Sequence, residues 1–421
     1  FVLRGNTQEV EILTLEDCLR IGIDNNLSLE GKRKEIQRSK YGVSENRSKL
    51  LPQINAIAGY SNNFDPPVSV TDGSSYGVPY NITQTLQHSA NAGLEMQMPL
   101  FNQTLYTSMS IAKVMEEISR LSYGKAREDV ILQISKMYYL GQVTAEQIML
   151  IKANITRLEE LRDITQAFFD NGMSIEVDLK RVNINLENLK VQYDNAQAMM
   201  KQQLNMLKYI MDYPAEKEIA LTPVNTDSIT TVALTGLSEN IYELQLSQSQ
   251  VQLAERQKKI ITNGYIPSLS LTGSWRYAAY TDKGYHWFHS GPSNQWFRSY
   301  GVGLTLRIPI FDGLDKTYKI KKAMIDIENK RLAWEDARKN LQTQYLNAVN
   351  DLMNNQRNFK KQKDNYLLAE DVYAVTSDRY REGIASMTEV LQDEMQMSEA
   401  QNNYISAHYN YRVTNLMLLK L

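Results

Sequence analysis

Proline placement constrains this chain more than any other feature. Its ten prolines stand at 52, 66, 67, 79, 99, 214, 223, 267, 292 and 309, and none falls within 100–213 or 310–421. A proline ring removes a backbone donor and clashes inside a helix, so those two runs are where very long helices can form. Each run is entered through the same pattern. Residues 89–101, SANAGLEMQMPLF, alternate small or polar with apolar, meet a proline, and stop at Leu100-Phe101; residues 299–311, SYGVGLTLRIPIF, repeat this and stop at Ile310-Phe311. A chain that twice joins a short period-two strand to a very long helix is not patterned like a compact enzyme.

Four segments alternate with period two. The apolar sets are Ile54, Ala56, Ala58 and Tyr60 in 52–64; Ala92, Leu94, Met96, Met98 and Leu100 in 89–101; Leu269, Leu271, Gly273, Trp275 and Tyr277 in 267–278; and Tyr300, Val302, Leu304, Leu306, Ile308 and Ile310 in 299–310. Such alternation fits a half-buried antiparallel sheet in a soluble sandwich, and it fits strands that face lipid. Strands of about 10–12 residues, rising about 3.3 Å each and tilted, cross a hydrocarbon layer of about 25 Å. The segments pair as two hairpins, 52–100 and 267–310, with aromatic-rich tips. Trp275, Tyr277, Tyr280, Trp296, Phe297 and Tyr300 gather toward one strand end, as an interfacial aromatic girdle would. Four strands cannot close a barrel, which takes about eight. Lipid-facing strands would therefore need further copies of the chain.

Residues 101 to about 168 read as one helix of roughly 100 Å at 1.5 Å per residue. The return arm carries Val182, Leu186, Leu189, Tyr193, Ala196, Met200, Gln203, Leu207 and Ile210 at steps of four and three. In the second half the same stepping runs from Leu341 to Tyr380, with polar gaps at Asn355, Gln362 and Thr376, and returns from Met397 to Leu421. This is a coiled-coil seam between otherwise polar faces. Each arm turns back at a glycine, Gly172 and Gly383, where a left-handed residue closes a helix. Acids follow each turn: Glu176 and Asp178, then Glu389, Asp393 and Glu394. They suit the first turns of helices through the helix dipole, and they also suit a ring of carboxylates at a pore mouth.

Composition closes off other classes. A net charge of −2 gives no support to nucleic acid as a partner. Cys18 is the only cysteine, so disulfide frameworks and Cys-rich metal sites are out, and it reads as a small apolar helix residue. No phosphate-binding glycine loop, nucleophile elbow or His-x-x-x-His pair is present, and His286 and His289 read as surface-loop residues. No metal, cofactor or enzymatic activity is expected. The chain starts at Phe1 without an apolar leader, so any signal peptide is expected to have been removed. No stretch of 18 apolar residues exists, which says nothing against strands in a membrane.

The two halves register. Pro52 and Pro267, Pro99 and Pro309, and Gly172 and Gly383 correspond, and SKLLPQI (48–54) matches NGYIPSL (263–269). The expected organisation is a first repeat over 1–212, a linker over 213–232, and a second repeat over 233–421. With LTLEDCLRIGIDNN (13–26), GYIPSLSLTGSW (264–275), LRIPIFDG (306–313) and YREGIASMTEVLQ (380–392) in this order, the chain resembles the TolC-like outer-membrane efflux protein family over essentially its whole length. The resemblance implies a mainly α fold with a membrane β-barrel portion. It implies internally duplicated helix–hairpin–helix units, a long coiled-coil α-barrel, and four strands per chain in a shared twelve-stranded barrel. It further implies a homotrimer in outer-membrane lipid that extends into the periplasm and docks a periplasmic adaptor protein and an inner-membrane pump. By the same resemblance Tyr380, Glu389 and Asp178 correspond to residues of a periplasmic gate, with Asp393 beside them. A family arginine is replaced by Ala385 and a family acid by Gln392. The expected activity is that of a passive exit duct for small molecules such as drugs. The alternatives are an exit duct for type I protein secretion and, in a different class, a periplasmic coiled-coil structural protein.

Overall fold

The computed structural model describes residues 10–66, 68–72, 74, 77, 79–84, 86–223, 236, 238, 240–281 and 296–421. His286, His289 and residues 224–232 of the expected linker lie outside them. In chain order the elements are β1 (Glu11–Leu13), α1 (Leu15–Asn25), α2 (Leu27–Ser48), β2 (Gln53–Asn62), β3 (Val68–Asp72), β4 (Tyr80–Gln84), β5 (His88–Phe101), α3 (Gln103–Asp170), α4 (Glu176–Met211), β6 (Ile219–Leu221), α5 (Tyr242–Asn263), β7 (Ser268–Thr281), β8 (Trp296–Arg307), α6 (Asp315–Arg381) and α7 (Met387–Lys420). Helices dominate, and both proline-free runs form them.

The described residues form two compact units, those within 1–36, 119–247 and 333–421 in one, and those within 37–118 and 248–332 in the other. The first unit is built from helical seams. Leu158 and Leu161 of α3, Val182, Leu186 and Leu189 of α4, Tyr373 and Tyr380 of α6, and Val390 and Met397 of α7 share one buried cluster. Each fully buried Leu or Val of this kind contributes about 1.5–3 kcal/mol. The seam read from the 4-3 stepping is the buried stripe. Of the α7 positions, Met397, Tyr404, Ala407, Tyr411, Thr414 and Leu418 are buried. A second cluster joins Leu13, Cys18, Leu29, Ile134, Leu207, Met211 and Ile219. Burial pushes the Cys18 thiol up to about 12, which leaves it protonated and unreactive. Beside this cluster β1 and β6 pair in parallel, so part of the expected linker is a strand.

Gly124 and Gly141 stay helical inside α3. A Cβ on Gly124 would come within 2.4 Å of the Tyr242 ring, and one on Gly141 within 2.6 Å of Leu221. They are places of close packing, not breaks.

The second unit carries a four-stranded sheet in the order β2-β5-β7-β8, antiparallel throughout. A two-stranded hairpin of β3 and β4 lies between β2 and β5 in sequence. The last strand ends at Arg307, earlier than the alternation through Ile310 suggested, because Pro309 offers no donor to continue the ladder. In β5, Pro99 is tolerated: pairing with β2 has ended at Gln97, and the register shifts between Pro99 and Phe101.

Candidate functional site

Strand register sorts the sheet's side chains into two chemically distinct faces. Residues directly opposite in an antiparallel ladder lie on the same face. Ala56 pairs with Leu94, Leu94 with Trp275, and Trp275 with Tyr300. Following that line, one face collects Ile54, Ala56, Ala58 and Tyr60, then Ala92, Leu94 and Met96, then Leu271, Trp275 and Tyr277, then Trp296, Tyr300, Val302, Leu304 and Leu306, with Arg298 opposite Tyr277 and His88 opposite Thr281 near one end. The other collects Asn55, Asn91, Glu95, Gln97, Ser270, Thr272, Ser274, Arg276, Ser299, Thr305 and Arg307. On the polar face Arg276 donates to Glu95, and Thr272 donates to the Gly303 carbonyl at 3.2 Å.

The apolar face is uncovered. Tyr300 and Val302 are 77% and 79% exposed, and Ile54, Leu94, Trp275, Leu304 and Leu306 are exposed as well. Water would penalise such a face, and monomeric soluble proteins rarely carry apolar patches of this extent. The six expected girdle aromatics divide between the faces. Trp275, Tyr277, Trp296 and Tyr300 lie on the apolar one, while Phe297, opposite Ala278, and Tyr280, opposite Ser89, lie on the polar one. Trp275 and Tyr277 meet edge to face at 5.6 Å, and Arg298 stands 5.8 Å over the Tyr300 ring.

The helix turns have matching backbones. Gly172 has φ +74° and Gly383 φ +76°. Gly172 donates to the Phe169 carbonyl and Met173 to that of Phe168; Gly383 donates to Tyr380 and Ile384 to Arg379. These are Schellman closures, which satisfy the last helical carbonyls.

The expected gate residues sit near these turns. Tyr380 is buried, its ring 5.6 Å from Phe168. Thr165 gives its hydroxyl proton to the Leu161 carbonyl at 2.7 Å, so Tyr380 is the donor in the 3.3 Å contact between the two hydroxyls. Asp178 accepts from Arg181 at 3.2 Å, and Arg181 also reaches the Thr388 hydroxyl of α7 at 3.3 Å. Glu389 closes a capping box: Ser386 N–H donates to its carboxylate at 2.8 Å, and Glu389 N–H donates to the Ser386 hydroxyl at 3.3 Å. Those bonds hold the Glu389 carboxyl below its ordinary range, so it is ionised. Asp393 is half-buried.

Two polar groupings lie inside the seams, and their burial was not legible in the sequence. Glu394, which follows Asp393 in the chain, is 5% exposed with one carboxylate oxygen unpartnered. Burial raises its carboxyl above the ordinary range, against a weaker opposing effect of Arg157. Arg157 itself pairs with Glu370 at 3.5 Å. Farther along, Tyr404 donates to Glu146 at 2.9 Å, His408 Nδ1 lies 3.2 Å from the same carboxylate, and Arg412 donates to His408 Nε2 at 2.9 Å. Because Arg412 can only donate, Nε2 accepts and Nδ1 carries the proton. Burial acts to raise the Glu146 carboxyl, but the hydrogen bonds from His408 and Tyr404 and the charge of Arg412 outweigh it and hold it low. Glu394 stands three residues before Met397 and His408 four after Tyr404, the steps of the seam itself, and that spacing was the available signal.

The family model for outer membrane efflux proteins matches residues 21–211 and 237–421. The chain belongs to the outer membrane efflux protein family. It is 21% identical over 392 residues to the outer membrane protein TolC of Vibrio cholerae, covering 89% of this chain and 83% of TolC. It is 23% identical over 428 residues to TtgC of Pseudomonas putida, a probable efflux pump outer membrane protein, covering 96% and 82%. Among solved structures it shares the fold of CusC, with TM-score 0.80, 16% identity and coverage of 98% and 94%. It also shares that of the Campylobacter jejuni CmeC outer membrane channel, with TM-score 0.78, 16% identity and coverage of 100% and 90%. Efflux proteins of this family are outer-membrane channels and not enzymes. Membership sets aside the soluble coiled-coil reading.

Proposed function

We propose that the chain is the passive outer-membrane duct of a tripartite exporter, acting as a homotrimer whose three sheets close into one twelve-stranded barrel. The observation that carries this is the uncovered apolar face shared by four strands, in a sheet whose outer strands β2 and β8 each have one edge without a strand partner among the described residues. In lipid each unpaired edge group costs several kcal/mol. Edge-to-edge closure with further copies removes that cost and turns the polar face toward an aqueous lumen. The two stretches matched by the family model support reading the chain as two duplicated repeats.

On this reading the helical arms continue the duct into the periplasm, and their turns meet an adaptor protein and an inner-membrane pump. Cargo is small molecules, in line with relatives named for toluene and antibiotic efflux. Tyr380, Asp178, Glu389 and Asp393 line the constriction, where a ring of acidic side chains favours cations. The test is the pore reconstituted in a planar bilayer under a salt gradient. Asp178→Asn combined with Glu389→Gln, which retains a capping side chain, lowers cation selectivity. A reversal potential that does not move removes these residues from the constriction.

A further inference from the structure

We infer that the helix-bearing end of the sheet is a docking band for anionic phospholipid headgroups, held by unpaired lysines and arginines of α2, α5 and α6. This rests on the membrane reading of the sheet. Gln53 pairs with Gln97, Gln97 with Thr272, and Ser268 with Arg307, so the start of β2, the end of β5, the start of β7 and the end of β8 share one end. There the strands join α2, α3, α5 and α6. The ten helical residues next to each strand, with the connectors, hold ten Lys and Arg against four Asp and Glu. That is a net +6 in a chain of net −2.

All four acids are taken. Glu45 pairs with Lys49 at 3.5 Å, Glu255 with Arg331 at 2.8 Å, Asp312 with Lys316 at 3.0 Å, and Asp315 with Lys319 at 2.7 Å. Lys40, Arg47, Arg256, Lys258, Lys259, Lys321 and Lys322 have no ion pair among the described residues, and all but Lys258 are exposed. Lys258, Lys259 and Lys321 rim a groove of about 1000 Å³ between α5 and α6, with Met324 and Ile325 in its wall. Lys316 stands 5.0 Å over Tyr265 and Lys321 5.7 Å over Tyr318, so aromatic rings lie at the same level. Aromatic and basic side chains next to an apolar surface match the interface of a bilayer, where phosphate sits above acyl chains. A free anion would need only the charge. The apolar sheet face next to the band selects a phosphate that carries acyl chains. Each basic side chain close to an anionic surface strengthens association about fivefold.

The test uses the full chain reconstituted in phosphatidylcholine vesicles with spin-labelled phosphatidylglycerol or spin-labelled phosphatidylcholine as probe. The immobilised fraction of phosphatidylglycerol exceeds that of phosphatidylcholine several-fold at low salt and falls toward it at high salt. Replacing Lys258, Lys259, Lys321 and Lys322 together by Gln removes most of this preference. Replacing Lys360, Lys361 and Lys363 of α6 by Gln leaves it intact. Equal immobilisation of the two lipids, or a preference that survives the fourfold substitution, overturns the docking band while conductance still supports the pore. A chain that does not float with the vesicles overturns the membrane reading itself.

Discussion

Glu394 shows how a single side chain carries a pH dependence of its own. Its carboxyl is raised in the folded chain because burial disfavours the charge. A group raised on folding contributes its full stability below the unfolded carboxylate value, and that contribution is lost as pH rises through the folded value. Glu394→Gln therefore melts with the wild type near pH 4 and becomes progressively more stable than it toward pH 8. Melting curves that stay parallel across that range would contradict this. The sequence grouped Glu394 with acids of a pore mouth because adjacent residues looked equivalent. A helix rotates about 100° per residue, so Asp393 and Glu394 occupy different faces, and only packing decides which one is buried. Glu389 differs, since Ser386 three residues earlier engages its carboxylate in a capping box, a local pattern that the Ser-x-x-Glu spacing carries.

At the scale of elements, the long helices and the strands were legible because both periods are written over many residues. The seam of α4, from Val182 to Ile210, was read position by position, and the buried stripe follows it. The strand pairing across β5 and β7 was not legible, since register between segments far apart in sequence is set by the assembled sheet. It is that register which splits the six aromatics between two faces. The turns offer a clean measurement. A Cβ on Gly383 would touch nothing within 4 Å, so Gly383→Ala meets only the left-handed backbone penalty. It costs about 1–2 kcal/mol in thermal or denaturant unfolding, and a loss near zero would mean the turn relaxes out of its closure. The two return helices differ in their start. α7 has the Ser386 cap, whereas α4 begins at Ile175 without a side-chain cap. Ser386→Ala loses about 0.5–2 kcal/mol, while Ile175→Ala loses no capping bond, and equal losses in hydrogen exchange at the two helix starts would contradict that contrast.

For the whole molecule, the sequence implied that four strands need partners, and the register explains how. The sheet has one apolar face, one polar face, and, among the described residues, no strand partner on the outer edges of β2 and β8. A chain of this kind is incomplete by itself in a bilayer. The mass of the complex extracted from outer membranes in mild detergent, measured by light scattering with the detergent contribution subtracted, tests the trimer most directly. The expected protein mass is three times the 48.4 kDa of the chain. A species of one chain, or recovery of the protein in the soluble periplasmic fraction without detergent, would contradict it.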